Sequence, residues 1–305
     1  MSPPTGTTSP RHRLTDLLDG QFMARLDGLD LFSRKMLQGK LQGERRSKKR
    51  GAGVEFADHR RYVVGDDLRH IDWNIFGRLD QLFLKIFLVD QDLSVHILLD
   101  VSASAATGEP PKARAIKRLG AALAYVGMVN NNRVTLSTFA DGIVGQLANM
   151  RGRAYLPRMA EFLLTAECEG PSGFDKACRQ LTAGRIGTGL VIVVSDFFFK
   201  EGYESGLRRL ASRNYDLYAI HMLSPQELEP ELSGDLKLID VEDLDDAEIT
   251  VSGALLEYYR RNLAAYCNEV QGFCRRRGAT YALTNSREPV EALMLNYLRR
   301  RGLLR

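Results

Sequence analysis

The chain has 305 residues, of which 44% are hydrophobic and 26% charged, the balance of a soluble protein with a sizeable core. No apolar run approaches the ~20 residues of a membrane-spanning helix, and Met1 to Pro10 lacks the apolar stretch of a secretory signal, so a soluble, cytoplasmic protein without a membrane segment is expected. The formal net charge of +4 is small for this length, and no aromatic residues are interleaved with the basic runs, which makes nucleic acid an unlikely partner.

Met1 to Pro10 is rich in Ser, Thr and Pro and is expected to be disordered, giving a first segment of 1–12. An extension follows over 13–90. From Leu14 to Leu37, apolar residues at Leu14, Leu17, Leu18, Phe22, Leu26, Leu29, Phe32 and Met36 recur at helical spacing, with a break near Gly28, which predicts two amphipathic helices or one bent one. The basic run Arg45-Arg46-Ser47-Lys48-Lys49-Arg50 reads as solvated surface. Acids and arginines then alternate closely around Trp73, the only tryptophan. They fit a surface loop whose charges pair locally, each exposed pair worth ~0 to 1 kcal/mol, or a docking platform anchored by Arg60, Arg61, Arg69 and Trp73. Leu82 to Leu88 reads as a strand.

The main domain is expected over 91–305. Val95-His96-Ile97-Leu98-Leu99 is an apolar run that ends in Asp100-Val101-Ser102-Ala103-Ser104, a buried parallel strand carrying an acid and two hydroxyls to its carboxyl end. His96 within that run is expected to be a hydrogen-bonded core residue. Lys112 to Asn131 has an apolar helical face, Arg133 to Phe139 is a strand, and Asp141-Gly142 signals a hairpin whose second arm, Ile143 to Leu147, returns antiparallel. Helices near Tyr155 to Ala166 and Phe174 to Leu181 precede Leu190-Val191-Ile192-Val193-Val194, a central buried strand ending in Ser195-Asp196. A helix near Tyr203 to Ser212 and a strand Leu217 to Met222 continue the alternation. Glu227 to Glu248 is strongly acidic and has no assigned element. A long helix runs from Leu256 to Phe273, with Arg275 to Arg277 in its last turn and Gly278 as cap, before a strand Thr280 to Leu283 and a helix Val290 to Leu298.

This alternation predicts an α/β fold, a doubly wound, mostly parallel sheet with one antiparallel edge strand and helices on both faces. Such sheets place their sites beyond the carboxyl ends of the strands. If the strands ending in Asp100 and Asp196 are neighbours, two carboxylates meet there and repel, and a divalent cation relieves the repulsion. Asp100, Ser102, Ser104, Ser172 and Asp196 are the candidate ligands, an all-oxygen set suited to Mg²⁺, with Mn²⁺ or Ca²⁺ as alternatives. The cysteines Cys168, Cys178, Cys267 and Cys274 show no CxxC spacing and are expected to be reduced. No P-loop, dinucleotide fingerprint or GxSxG elbow is present.

Gly53-Val54-Glu55-Phe56, Arg60-Arg61-Tyr62, Gly65-Asp66-Asp67-Leu68-Arg69, Ile71-Asp72-Trp73 and Leu98-Leu99-Asp100-Val101-Ser102-Ala103-Ser104 closely resemble the domain-of-unknown-function 58 family, whose members carry a von Willebrand factor A-like domain. The resemblance implies a metal-ion-dependent adhesion site in which Asp100, Ser102 and Ser104 are the first ligand set and Asp196 the later acid. The threonine of the pattern falls on Ser172, which keeps a hydroxyl and loses the β-branch that stiffens its rotamer. Members of this kind are often encoded near a MoxR-type AAA+ ATPase. The expectation is therefore a metal-dependent protein-binding module without catalysis that acts with such an ATPase, or its client, in assembly or activation of a partner complex. The alternative is a metal-dependent hydrolase or phosphoryl-transfer enzyme using the same cation.

Overall fold

The computed structural model describes residues 10–33, 54–64, 68–89, 93–183, 189–212, 215–242 and 246–304. Expectations for Met1 to Ser9, for the helix beyond Ser33, for the basic run Arg45 to Arg50 and for Gly65 to Asp67 lie outside them. The chain divides into two compact units, one of residues 42–92 and one of residues 1–41 with 93–305.

The larger unit opens with helices α1 (Pro10–Leu17) and α2 (Gly20–Leu26), which bury Leu17, Leu18, Phe22 and Leu26. The helical run ends near Gly28 as expected, α2 stopping at Leu26, and it has an earlier break at Asp19, whose carboxylate accepts from the Phe22 N–H at 2.8 Å and caps the second helix. The smaller unit holds an antiparallel pair, β1 (Val54–Arg61) and β2 (Phe83–Val89), joined through helix α3 (Trp73–Leu79). The second strand was expected; the first falls in a segment read as loop or platform.

The remaining elements belong to the larger unit. They are β3 (Ser94–Asp100), α4 (Lys112–Val129), β4 (Arg133–Ala140), β5 (Gly142–Met150), α5 (Leu156–Thr165), α6 (Phe174–Ala183), β6 (Gly189–Ser195), α7 (Glu204–Ala211), β7 (Tyr215–Leu223), α8 (Pro225–Leu228), β8 (Gly234–Ile239), β9 (Asp246–Val251), α9 (Gly253–Arg276), β10 (Thr280–Asn285) and α10 (Val290–Ala292), which runs into a wider turn over Leu293–Leu298. Six strands form one sheet in the order β10-β7-β6-β3-β4-β5, parallel except for β5 at the edge. This is the doubly wound, mostly parallel α/β sheet with one antiparallel edge expected of a von Willebrand factor A-like domain.

Side chains alternate across a pleated strand, and the central strands divide accordingly between two cores. Val95, Ile97 and Leu99 of β3 and Leu190, Ile192 and Val194 of β6 join Leu119, Leu123 and Val126 of α4 on one face. Leu98, Val191 and Val193 join Phe174, Leu207 and Phe273 from α6, α7 and α9 on the other. Both faces are covered, which explains why these strands read as unbroken apolar runs. The edge strand β5 alternates between buried and exposed residues, and Gly142, at φ +83°, supplies the left-handed residue of the Asp141-Gly142 turn.

The acidic segment contains an unexpected hairpin: β8 and β9 pair antiparallel, with Lys237 opposite Glu248 and paired to Asp246. The long helix α9 starts at Ser252, whose side chain accepts from the Leu255 N–H at 3.2 Å, and ends as expected at Gly278, with φ +69° and its N–H donating to Arg275 O at 3.1 Å. The four cysteines are free, three of them buried. Among the described residues no helix is long and apolar enough to cross a membrane.

Candidate metal centre at the strand tips

The β3 and β6 strands are direct parallel neighbours, with Leu99 opposite Val194. The next residues, Asp100 and Ser195, therefore finish side by side, and Asp196 follows one position on. Asp100 is 1% exposed, and its carboxylate is fully engaged. Oδ1 accepts from the Ser102 N–H at 2.9 Å and the Ser102 hydroxyl at 2.6 Å, and Oδ2 accepts from the Ser195 hydroxyl at 2.6 Å. The hydroxyls of Ser102 and Ser104 lie 3.0 Å apart. Each hydroxyl that donates its proton keeps lone pairs for a cation. The loop with Ser172 is laced to this turn: Ala103 N–H donates to Gly170 O at 3.0 Å and Glu169 N–H to Val101 O at 3.1 Å.

Asp196 is held by a different set. Its Oδ1 accepts from the Phe198 N–H at 3.2 Å, and its Oδ2 from the Lys112 ammonium at 2.7 Å. Between them Phe197 sits at φ +56°, a left-handed conformation that a bulky residue rarely adopts. Burial holds it there: the ring is fully buried against Phe174, Phe199 and His221, the Phe197 N–H donates to the Ser195 hydroxyl at 3.0 Å, and the Tyr266 hydroxyl donates to Phe197 O. Asp196 is thus aimed by a strained backbone locked into an aromatic cluster.

The charges at the tips interact. Burial, and after it the negative charge of Asp196, holds the Asp100 carboxyl well above the usual carboxylate range. The Lys112 ammonium, 1% exposed, is opposed by burial, yet the charges of Asp196 and Glu227 more than compensate and raise it above its ordinary value.

A hard divalent cation fits these residues. The donors are oxygens throughout, two carboxylates and three hydroxyls. The Ser172 hydroxyl is buried without a hydrogen-bond partner, while its backbone N–H donates to the Glu242 carboxylate at 3.2 Å. A buried hydroxyl left unsatisfied is costly, and a cation within its reach would remove that cost.

The other candidate residues lie in the smaller unit. Arg60 and Arg61 are on β1, Arg69 is exposed on a single helical turn over Leu68–His70, and Trp73, 64% exposed, opens α3 with its ring edge-on to Phe76 at 6.1 Å. Local charge pairing is present there as well. Asp72 caps α3, accepting from the Asn74 and Ile75 N–H groups at 3.0 and 3.3 Å, and its other oxygen lies 2.9 Å from His59 Nε2. His96 corrects an expectation: neither ring nitrogen has a hydrogen-bond partner, and burial pushes the imidazole down to about 4.

A family model described as "Protein of unknown function DUF58" matches residues 58–268. The chain belongs to this family. Uncharacterized proteins of Mycobacterium bovis and Mycobacterium tuberculosis are 26% identical to this DUF58 chain over 270 residues, covering 87% of it and 84% of their own length. Among solved structures, the BatB protein of Bacteroides thetaiotaomicron is similar at 15% identity and a TM-score of 0.42, over 68% of this chain and 98% of that one. The SpRpn10 VWA domain is similar at 12% identity and a TM-score of 0.39, over 67% and 94%.

Within this DUF58 site, sequence reasoning missed Lys112, Ser195, Glu227 and Glu242. Ser195 adjoins Asp196 and could have been included from the strand register alone. Lys112 also left a signal: a lysine in the first turn of a helix sits at the positive end of the helix dipole, where an acid is favoured.

Proposed function

We propose that this DUF58 chain is a metal-dependent protein-binding module without catalysis. A Mg²⁺, or Mn²⁺ or Ca²⁺ in its place, is held by Asp100, Ser102, Ser104, Ser172 and Asp196, directly or through water, and accepts a carboxylate from the partner protein at an open position. The observation that carries this reading is the parallel pairing of β3 with β6, which ends Asp100 beside Ser195-Asp196, with the Asp100 carboxylate bonded to the Ser102 and Ser195 hydroxyls. The bound ion supplies the positive charge; the chain supplies aim. Asp100 fixes Ser102 through its hydrogen bonds, the Ser102 hydroxyl in turn meets that of Ser104, and the Phe197 backbone directs Asp196. The exposed Arg61, Arg69 and Trp73, with Arg60 beside them in sequence, are further anchors for a partner. By family analogy that partner is a MoxR-type AAA+ ATPase or its client, and the outcome is assembly or activation of another complex. Hydrolysis at the same ion would require a general base, and His221, the histidine that feels the Asp196 charge, is fully buried and held neutral by that burial, down to about 4.

The test is retention of the ATPase by the tagged full chain with Mg²⁺ and with chelator. Binding in Mg²⁺, release by chelator and loss in Asp100→Ala are expected. Equal retention by the folded Asp100→Ala variant in chelator would refute the reading.

A further inference from the structure

We propose that Lys112 is a resident counter-cation of the metal centre, sharing Asp196 with the divalent ion and setting how tightly that ion is held. This inference rests on the reading of the strand tips as a cation site.

Lys112 is in an improbable place. It is 1% exposed, and it is the first residue of α4, a helix with no acid in its first turn and no side-chain cap, so the helix end itself repels the ammonium. Burying a lysine is costly unless it is paired, and here two acids from distant parts of the chain converge on it. One is Asp196, at 2.7 Å, and the other is Glu227 of α8. Glu227 is itself built in. Its Oε2 accepts from the Ser224 N–H at 2.6 Å, its own N–H donates to the Ser224 hydroxyl at 3.2 Å, and its carbonyl accepts from the Tyr259 hydroxyl at 2.8 Å.

Two consequences follow from this arrangement. Asp100, Asp196 and Glu227, when ionised, together with the Lys112 ammonium carry two negative charges, the complement of one divalent cation. In addition, the Asp196 oxygen not engaged by the Phe198 N–H is the one Lys112 holds, so an ion that draws on Asp196 competes with the ammonium. Glu227 gives the ammonium a second seat when the ion takes Asp196. The ion is then held weakly enough to be exchanged, and it is admitted only where it outcompetes a tethered positive charge.

The test is Mn²⁺ affinity of the full chain at neutral pH, by calorimetry and by the electron paramagnetic resonance signal of free Mn²⁺. Lys112→Met is expected to bind Mn²⁺ about tenfold or more tightly, since a like charge a few ångströms from the ion has been removed. Glu227→Gln is expected to bind several-fold more weakly, because the ammonium loses its second seat and remains on Asp196. A purely structural lysine would give the opposite sign for Lys112→Met, as Asp196 would lose its support. A folded Lys112→Met with unchanged or weaker affinity overturns the inference while leaving the cation site intact, provided native protein binds Mn²⁺ and Asp100→Ala does not. If native protein binds none and Lys112→Met does, the inference is upheld; if neither binds, the cation site falls and the inference with it. Should Lys112→Met not fold, Lys112→Gln decides: tighter Mn²⁺ binding supports the counter-cation, and unchanged or weaker binding refutes it.

Discussion

Replacing Asp100 by Asn keeps the shape of the most enclosed acid at the strand tips and removes its charge. The amide oxygen still accepts from the Ser102 N–H and hydroxyl, now at 2.9 and 2.6 Å, and the amide nitrogen can donate to the Ser195 hydroxyl, which accepts from the Phe197 N–H at 3.0 Å and has a second lone pair. Exchanging three charge-assisted bonds for neutral ones costs about 1 kcal/mol each. Relief from burying a charge beside Asp196 offsets most of that cost, so the metal-free variant is expected within about 2 kcal/mol of the native protein. Its pH dependence is expected to differ more. The Asp100 carboxyl is raised in the folded protein, which therefore holds this proton more firmly than the unfolded chain does. The stability it contributes is full below the usual carboxyl range and is lost as pH rises through the folded value. The Asp100→Asn variant has no such loss, so the native-minus-variant stability should fall from acid to neutral pH. Magnesium at a hundredfold excess over its dissociation constant adds about 2.7 kcal/mol to the native protein, or roughly 5 °C in Tm, and nothing to the variant. Thermal unfolding across pH, with Mg²⁺ and with chelator, reads both effects. An equal Mg²⁺ shift in the two proteins, or parallel pH curves in chelator, would refute the assignment.

Three further outcomes are expected. Ser172→Ala removes a buried hydroxyl that has no partner, so urea denaturation in chelator should show native stability or a gain of up to about 1 kcal/mol, while Mn²⁺ affinity falls; a loss above that size without metal would mean the hydroxyl is already bonded. His96→Leu replaces an imidazole that burial lowers to about 4, well under its value in the unfolded chain. Because the native contribution of this neutral ring is present above the unfolded value and is lost as pH falls, the variant should recover up to about 3 kcal/mol near pH 4 relative to pH 7, read from urea midpoints. Phe197→Ala empties a fully buried ring position in the aromatic cluster and should cost about 3 to 5 kcal/mol; a cost under 1 kcal/mol would show that the left-handed backbone beside Asp196 is not held by that ring.

The sequence exposed what is written locally. Val95 to Leu99 and Leu190 to Val194 are buried on both faces, so nearly every residue is apolar and each strand shows as a run with an acid at its end. Their adjacency was a condition the sequence left open; the sheet order supplies it, with the two strands paired in parallel. The first strand of the smaller unit did not show, because Glu55, Asp58, His59, Arg60 and Arg61 break any apolar pattern and its pairing with a strand beginning at Phe83 is a non-local property. The acidic hairpin was hidden in the same way: Asp235-Leu236-Lys237-Leu238 alternates with a period of two, but high charge masked the alternation. Lys112 is the clearest case of illegibility. Its partners lie 84 and 115 residues further along the chain, and only the folded sheet brings them to the start of α4. His96 was placed correctly in a strand, but whether its nitrogens find partners depends on neighbours that periodicity does not specify.

The strand-tip acids sit on the two inner strands of a sheet covered on both sides, so their spacing is as stiff as the sheet itself. The material that surrounds them is of another kind: a serine loop, an acidic hairpin and a short capped helix, each attached at its ends. Substitution in those attachments can change what reaches the tips while the distance between the acids stays fixed. A lineage built on this frame can redraw the rim without rebuilding the sheet that carries Asp100 and Asp196.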